Sequence, residues 1–147
     1  MQNIPTYDII YNELTLYEVI HLIVAVIGSR SITEVDMEKI IPEGATELIS
    51  GGANGVDFLA ASYAAQHHIP IRPDYKRYFY RRAPLESNQL IIDTADFVVA
   101  VWDGSSTGTK DALTRAQIAG KPARVYSPDG SLLFCLPPDD SFSKKGL

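Results

Sequence analysis

The chain has 147 residues, of which 46% are hydrophobic and 21% are charged, and its formal net charge is −5. This balance is typical of one folded domain and disfavours a disordered chain, while the net negative charge argues against a general nucleic-acid binder. The apolar run at residues 22–27 is too short to cross a bilayer and no signal-peptide pattern precedes it, so we expect a cytoplasmic protein without a membrane partner.

The sequence predicts one domain with an extension at each end. Residues 1–21 form the N-terminal extension, where apolar residues at helical spacing favour packing on the domain or on another subunit. Residues 22–126 form the domain. Residues 127–147 form a C-terminal extension rich in Pro, Gly and Ser, in which only residues 132–136 have the pattern of a strand.

Strands and helices alternate along the domain. The β-rich run 23–27 ends in Gly28 and predicts a buried first strand. Thr33 is the predicted cap of a helix over residues 33–41, with Val35, Met37 and Ile40 on its buried side. Further strands are predicted at 47–49, 69–73, 97–101 and 123–126, and further helices from Val56 to the His67-His68 pair, from Ser87 or Asn88 to residue 94, and over 108–119.

This alternation, with short connections, favours a Rossmann-like three-layer α/β/α sandwich around a mostly parallel five-stranded sheet. Counted along the chain, the predicted strands take the order 3-2-1-4-5.

Three glycine-bearing loops follow predicted strands, at the points where helices should begin. They are Gly28-Ser29-Arg30, the stretch from Ser50 to Asp57, and the stretch from Gly104 to Thr109. In an open α/β sheet the carboxyl ends of the strands meet at one crevice, where the N–H groups of helix N-termini hold anions such as phosphate. The loops therefore predict a phosphate or nucleotide site.

The candidate ligand-binding residues come from these loops and from polar or aromatic positions near them. They are Gly28, Ser29, Arg30, Ser50, Gly51, Gly52, Asn54, Gly55, Asp57, Arg82, Asn88, Trp102, Ser106, Thr107, Gly108 and Thr109.

Each group also has a structural interpretation. The glycines allow close backbone approach to a ligand, or they serve only a tight strand-to-helix turn. Arg30 forks onto a phosphate or forms a surface ion pair, and Asp57 contacts the ligand or complements a helix dipole. Trp102 lines the crevice or fills the core.

Residues 75–82 form a dense cluster of basic and aromatic side chains. This cluster is a mononucleotide lid, a contact for single-stranded nucleic acid, or a loop packed on the domain. His21, His67 and His68 form no recognisable catalytic or metal-binding set, so we expect them to be structural.

Neither G-x-x-x-x-G-K-[ST] nor G-x-G-x-x-G occurs at these loops. Instead, Val26-Ile27-Gly28-Ser29-Arg30, then Ile49 to Ala60, then Ala95 to Thr109 together resemble the SLOG superfamily, which joins the Rossmann domain of DNA-processing protein A with the LOG proteins. Over residues 22–126 the chain looks most like the small YpsA-related branch. The resemblance implies a nucleotide or ADP-ribose-like ligand and, with the apolar N-terminal segment, a homodimer or higher oligomer.

Two positions depart from the patterns of these relatives. Asn88 matches the asparagine of the usual Arg-Asn pair, but Ser87 stands where the arginine is expected. Aligned on Gly108-Thr109, the catalytic glutamate of the LOG phosphoribohydrolases falls at Ala112, and a methyl group cannot stabilise an oxocarbenium-like state or position water.

The leading hypothesis is therefore a noncatalytic nucleotide-derivative binding or sensing protein with no catalytic residue, no metal and no certain cofactor. The alternatives are an N-glycosidic hydrolase acting on a nucleotide and a single-stranded DNA-binding protein, the latter disfavoured by the acidic charge.

Overall fold

The computed structural model describes residues 21–51, 55–71 and 84–137. The predicted N-terminal extension up to residue 20, the basic and aromatic cluster at 75–82 and the end of the C-terminal extension lie outside these residues. None of the helices described in those three ranges is long and apolar enough to cross a membrane.

A five-stranded sheet forms the centre of the fold. Its strands are β1 (Ile23–Gly28), β2 (Glu47–Ile49), β3 (Phe97–Val101), β4 (Ala123–Tyr126) and β5 (Leu132–Leu136). Their order across the sheet is β2-β1-β3-β4-β5. The first four are parallel and β5 is antiparallel to β4, so the predicted mostly parallel α/β sheet is confirmed.

Helices cover both faces of this sheet. They are α1 (Met37–Ile40), α2 (Val56–Gln66), α3 (Pro84–Thr94) and α4 (Thr107–Ile118). Alternate residues of β1 point to opposite faces, so Val24 and Val26 enter the core under α1 and α2, whereas Ala25 and Ile27 enter the core under α3 and α4. The predicted three-layer sandwich is therefore confirmed.

The outer strands differ from the prediction in detail. The stretch predicted as the third strand contributes a single parallel bridge, between Ile71 and Leu48. Proline supplies no backbone donor, and here the Pro70 carbonyl accepts the Leu48 N–H at 2.9 Å while the ring nitrogen can return none. The fifth strand of the sheet is instead β5, which the sequence placed in the C-terminal extension.

The first helix is shorter than predicted and has a different cap. Asp36, not Thr33, is the N-cap, and its side chain accepts the Glu38 N–H at 3.1 Å. A carboxylate caps a helix at least as well as a threonine hydroxyl, and the helix begins where Met37 and Ile40 can both be buried. Packing against the sheet, rather than the favourable cap pattern at Thr33, therefore sets the start of α1.

Two helices end in the same left-handed turn, one with glycine and one without. After α4, Gly120 has φ 70° and the Lys121 N–H bonds the Ala116 carbonyl at 2.9 Å. After α2, His68 has φ 55° and the Ile69 N–H bonds the Ala64 carbonyl at 2.9 Å. This 6→1 hydrogen bond defines the Schellman motif, which favours glycine because a β-carbon is strained at positive φ.

The exposed His68 is thus a strained position that glycine should relieve. We expect His68→Gly to raise the free energy of unfolding by about 0.5 kcal/mol, because the relief of roughly 1 kcal/mol exceeds the added flexibility of the unfolded chain. The reciprocal control, Gly120→His, should lower it by a similar amount. Thermal unfolding of both variants tests this, and a lower midpoint for His68→Gly would contradict it.

Candidate functional site

A crevice of about 650 Å³ opens at the carboxyl ends of β1 and β3. From β1 the chain passes to β2 on one side of the sheet, while β3 lies on the other side, so the crevice occupies the switch point where open α/β sheets bind ligands. Its lining comes from the end of β1 and the loop after it, from Gly51, from the start of α2, from the middle of α3, and from the N-terminal half of α4 with the loop before it.

Most of the described candidate residues meet in this crevice. Those that line it are Gly28, Ser29, Arg30, Gly51, Asp57, Asn88, Ser106, Thr107, Gly108 and Thr109. Ser50, Gly55 and Trp102 do not line it. Gly52, Asn54 and Arg82 lie outside the described residues.

Gly28 and Gly55 are required by packing. A β-carbon on Gly28 would lie 2.6 Å from both the Val101 carbonyl oxygen and Val56 Cγ2. A β-carbon on Gly55, which has φ 75°, would lie 2.5 Å from the Arg30 carbonyl oxygen. The structural interpretation of the glycines therefore holds at these two positions, where the backbones of β1, β3 and α2 meet.

Gly108 is different because no packing explains it. Outside its own helix backbone, no heavy atom of the described residues would lie within 4 Å of a β-carbon there, and Gly108 lies in the first turn of α4, on the crevice wall. Glycine is a poor helix former, so it lowers the stability of α4, and no close packing around Gly108 compensates for this. An uncovered backbone at this point leaves room for a ligand to approach the helix N-terminus closely.

The loop before α4 satisfies part of its own backbone. Asp103 Oδ1 accepts the N–H groups of Ser105 and Ser106 at 2.9 and 2.8 Å, and these bonds hold the pKa of Asp103 below its ordinary value. The hydroxyl of Ser106, the N-cap, accepts the Thr109 N–H at 3.4 Å. The N–H groups of Thr107 and Gly108 have no partner within the helix, because first-turn donors precede its first carbonyl acceptors.

Arg30 supplies a positive charge to the crevice from the loop after β1. Its side chain is exposed, and within the described ranges no carboxylate forms an ion pair with it. It is also the only cation among the described lining residues, which include Ser87 at the position where the SLOG resemblance leads us to expect arginine. Asp57, at the start of α2, also lines the crevice, and its carboxylate lies next to Gly51.

Helices α3 and α4 form the wall of the crevice and are joined by a polar network. Asn88 Nδ2 donates to Asp111 Oδ2 at 3.0 Å and to the Gly108 carbonyl at 3.3 Å, and Arg115 Nε donates to the same Asp111 oxygen at 2.8 Å. Burial opposes ionisation of Asp111, but these hydrogen bonds and the Arg115 charge outweigh it and lower its pKa. The network turns the Asp111 carboxylate away from the crevice.

Below the polar rim, the crevice has an apolar floor made by Ile27, Ile91 and Ala112. Ala112 is buried and lies one helical turn after Gly108, on the same face of α4. The floor therefore continues directly from the open helix N-terminus.

The remaining candidates have structural roles. Trp102 donates its indole N–H to the Ser106 carbonyl at 3.1 Å and packs against the core, which is the core interpretation of that residue. His67 stacks on Tyr63 with ring centroids 4.1 Å apart and contacts Glu38, away from the crevice. No group of three His, Cys, Asp or Glu side chains in the described ranges is arranged to hold a metal ion.

Sequence reasoning missed several lining residues, among them Ser31, Asp103, Ile27 and Ile91, whereas it singled out Ala112 through the LOG alignment. Asp103 had a recognisable signal, because an aspartate two or three residues before free backbone N–H groups commonly accepts them in a turn. Ile27 and Ile91 gave no such signal, since apolar positions of strands and helices look alike whether they pack on protein or line a cavity.

No protein-family model matches this sequence, and no curated protein or solved structure matches it. The resemblance to the SLOG superfamily therefore rests on the motifs quoted above. The Rossmann-like architecture that it implies is the one observed.

The glycines allow a direct test of which are needed for folding. We expect Gly28→Ala and Gly55→Ala each to lower the free energy of unfolding by about 3 kcal/mol, because the new methyl group meets backbone atoms that cannot move aside. Gly108→Ala should leave it unchanged or raise it by up to about 1 kcal/mol. Urea unfolding measures all three, and a strong loss at Gly108 would contradict this division.

The Asp111 network predicts a pH-dependent contribution to stability. Because the folded-state pKa of Asp111 is lowered, its contribution is complete above the unfolded value of 3.8 and is lost as the pH falls through the folded value. Asp111→Asn should therefore reduce the free energy of unfolding by about 1 kcal/mol at pH 7, and the difference should close below about pH 4.

Urea unfolding of the wild type and Asp111→Asn from pH 7 down to pH 3 measures this closure. Asp93→Asn is the matched control, since it removes a neighbouring exposed carboxylate that accepts one hydrogen bond from Gln89. A difference for Asp111→Asn that stays constant over this range would show that the network does not depend on ionisation.

Proposed function

We propose that this protein binds a nucleotide or nucleotide-derived ligand in the crevice between β1 and β3 and does not hydrolyse it. The observation that carries this proposal is the meeting of Arg30 with the uncovered first turn of α4 in one crevice. A guanidinium and two outward N–H groups provide complementary donors for one phosphate group.

The donors at the anion end differ in kind and support each other. The N–H groups of Thr107 and Gly108 lie at the positive end of a twelve-residue helix, which favours a negative charge there. Arg30 adds a planar guanidinium group that can donate hydrogen bonds to two oxygens of one phosphate at the same time. The carboxylates of Asp57 and Asp103 limit the positive charge of the rim, which favours a single phosphate over a polyphosphate chain.

The apolar floor supports a ligand with an uncharged part next to the phosphate. Ile27, Ile91 and Ala112 offer a surface for a base or sugar, while carboxylates such as Asp57 accept hydrogen bonds from hydroxyl groups. Inorganic phosphate alone would leave this floor exposed to water. A phosphorylated nucleoside, or an ADP-ribose-like relative of one, satisfies both parts of the crevice.

The hydrolase alternative lacks a carboxylate at the position where the LOG resemblance places it. Ala112 lies on the crevice floor, and the neighbouring Asp111 carboxylate is bonded to Asn88 and Arg115 instead. The single-stranded DNA alternative depends on residues 75–82, which the structure does not describe. Association into a homodimer or higher oligomer is part of the proposal and is tested by light scattering, where a monomeric mass would contradict it.

The first experiment is a thermal-shift screen against nucleoside monophosphates, nucleoside diphosphates and ADP-ribose, with product analysis of every ligand that stabilises the protein. A ligand at about one hundred times its dissociation constant should add about 2.7 kcal/mol of stability. We expect recovery of the unchanged ligand. Release of free base would support the hydrolase alternative, and no shift with any nucleotide would overturn the proposal.

Two charge-removing variants then test the site itself. Arg30→Ala should weaken binding of the best ligand about tenfold or more, because it removes charge-assisted hydrogen bonds worth roughly 1.5–3 kcal/mol. Lys110→Ala is the matched control, since Lys110 is exposed on α4 but does not line the crevice. Titration calorimetry measures both, and equal losses would indicate only a general effect of charge.

A further inference from the structure

Asp103 connects the loop after β1, which carries Arg30, to the loop before α4. Its negative charge is unexpected in a site proposed to bind an anion. On one side its Oδ1 accepts the backbone N–H groups of Ser105 and Ser106 and the Ser105 hydroxyl at 3.2 Å. These bonds fix the turn that leads into α4. They also direct its charge toward backbone dipoles.

On its other side, Asp103 contacts both sequence neighbours of Arg30. The Asp103 backbone N–H donates to Ser29 Oγ at 3.4 Å, and the Ser31 hydroxyl donates to Asp103 Oδ2 at 3.4 Å. Ser29 is almost fully buried and is tied to β3 through its own N–H, which bonds the Val101 carbonyl at 3.2 Å. Arg30 therefore lies between two residues that Asp103 holds, one anchored to the sheet and one at the surface.

We propose that Asp103 is a positioning residue that sets Arg30 and the N-terminus of α4 at the separation one phosphate group requires. This inference rests on the proposed function, because it concerns how the same crevice recognises its anion. Asp103 makes no contact with the phosphate itself. Its carboxylate repels the ligand slightly. That carboxylate is nevertheless needed, because Oδ1 holds the turn before α4 and Oδ2 holds Ser31 beside Arg30.

This role differs from an ordinary turn-stabilising role in what it predicts for Arg30. If Asp103 acts through Arg30, its removal weakens phosphate binding only while Arg30 is present. If it only stabilises the turn before α4, its removal weakens binding by the same factor with or without Arg30. A double-mutant cycle between the two residues separates these cases.

The experiment measures binding of inorganic phosphate and of adenosine 5′-monophosphate to the wild type, Asp103→Ala, Arg30→Ala and the double variant by titration calorimetry. We expect Asp103→Ala to weaken binding about tenfold in the wild-type background and less than about twofold in the Arg30→Ala background. Equal factors in the two backgrounds, or no loss from Asp103→Ala, would overturn the inference.

Two milder variants keep the test decisive if Asp103→Ala fails to fold. Asp103→Asn keeps an oxygen for the Ser105 and Ser106 N–H groups, and its amide nitrogen can donate to the Ser31 hydroxyl, so it should bind phosphate within about threefold of the wild type. Ser31→Ala removes only the contact beside Arg30. It should weaken phosphate binding in the wild-type background and have no effect on binding in the Arg30→Ala background. The inference fails if Asp103→Asn weakens phosphate binding about tenfold, as expected for Asp103→Ala, or if Ser31→Ala leaves phosphate binding unchanged.

A ligand-free measurement separates this inference from the proposed function. Amide hydrogen exchange at Ser105 and Ser106 should accelerate in Asp103→Ala and remain slow in Asp103→Asn. If the wild type binds but the cycle shows no coupling, only the positioning role fails. If the wild type binds neither phosphate nor the nucleotide, the proposed function fails and the inference fails with it, whatever the exchange rates.

Discussion

The arrangement of the crevice depends on the close approach of three backbone segments at the carboxyl end of β1. Gly28 lets the Val101 carbonyl and the Val56 side chain reach the end of that strand, and Gly55 lets the start of α2 lie against the backbone of Arg30. Atoms 2.5–2.6 Å from a hypothetical β-carbon leave no room for any other residue. The positions of the β1 loop and of α2 follow from these two contacts.

The two sides of the crevice are built in different ways. The rim next to β1 is fixed by backbone contacts and by Asp103, so the backbone that carries Arg30 has little freedom to move. The wall formed by α3 and α4 is fixed by side chains, chiefly the hydrogen bonds of Asn88 and Arg115 to Asp111. Under the proposed function, a fixed backbone beside Arg30 and a wall of exchangeable side chains suit a site that recognises one common group on a variable ligand.

The fold could be predicted because buried strands and glycine loops leave clear local patterns, as in Ile23–Gly28 and Phe97–Val101. The pairing at the two edges of the sheet could not be predicted, since the pairing of Ile71 and of Leu132–Leu136 depends on which backbone donors face a neighbouring strand. Sequence position alone predicted that residues such as Arg30 and Gly108 line the crevice. It did not predict that Gly55 is required by packing whereas Gly108 is not, because the space around a glycine depends on how the chain packs.

The backbone angles of Gly55, φ 75° and ψ −127°, also restrict how this protein can evolve. Almost no residue with a side chain adopts that conformation, so the packing of the start of α2 against the backbone of Arg30 is closed to gradual change by substitution at this point. Ser87, Ile91 and Ala112 face the same crevice without such a restriction. Descendants of this chain can therefore change the side chains that α3 and α4 present to the crevice while inheriting the same backbone at the start of α2.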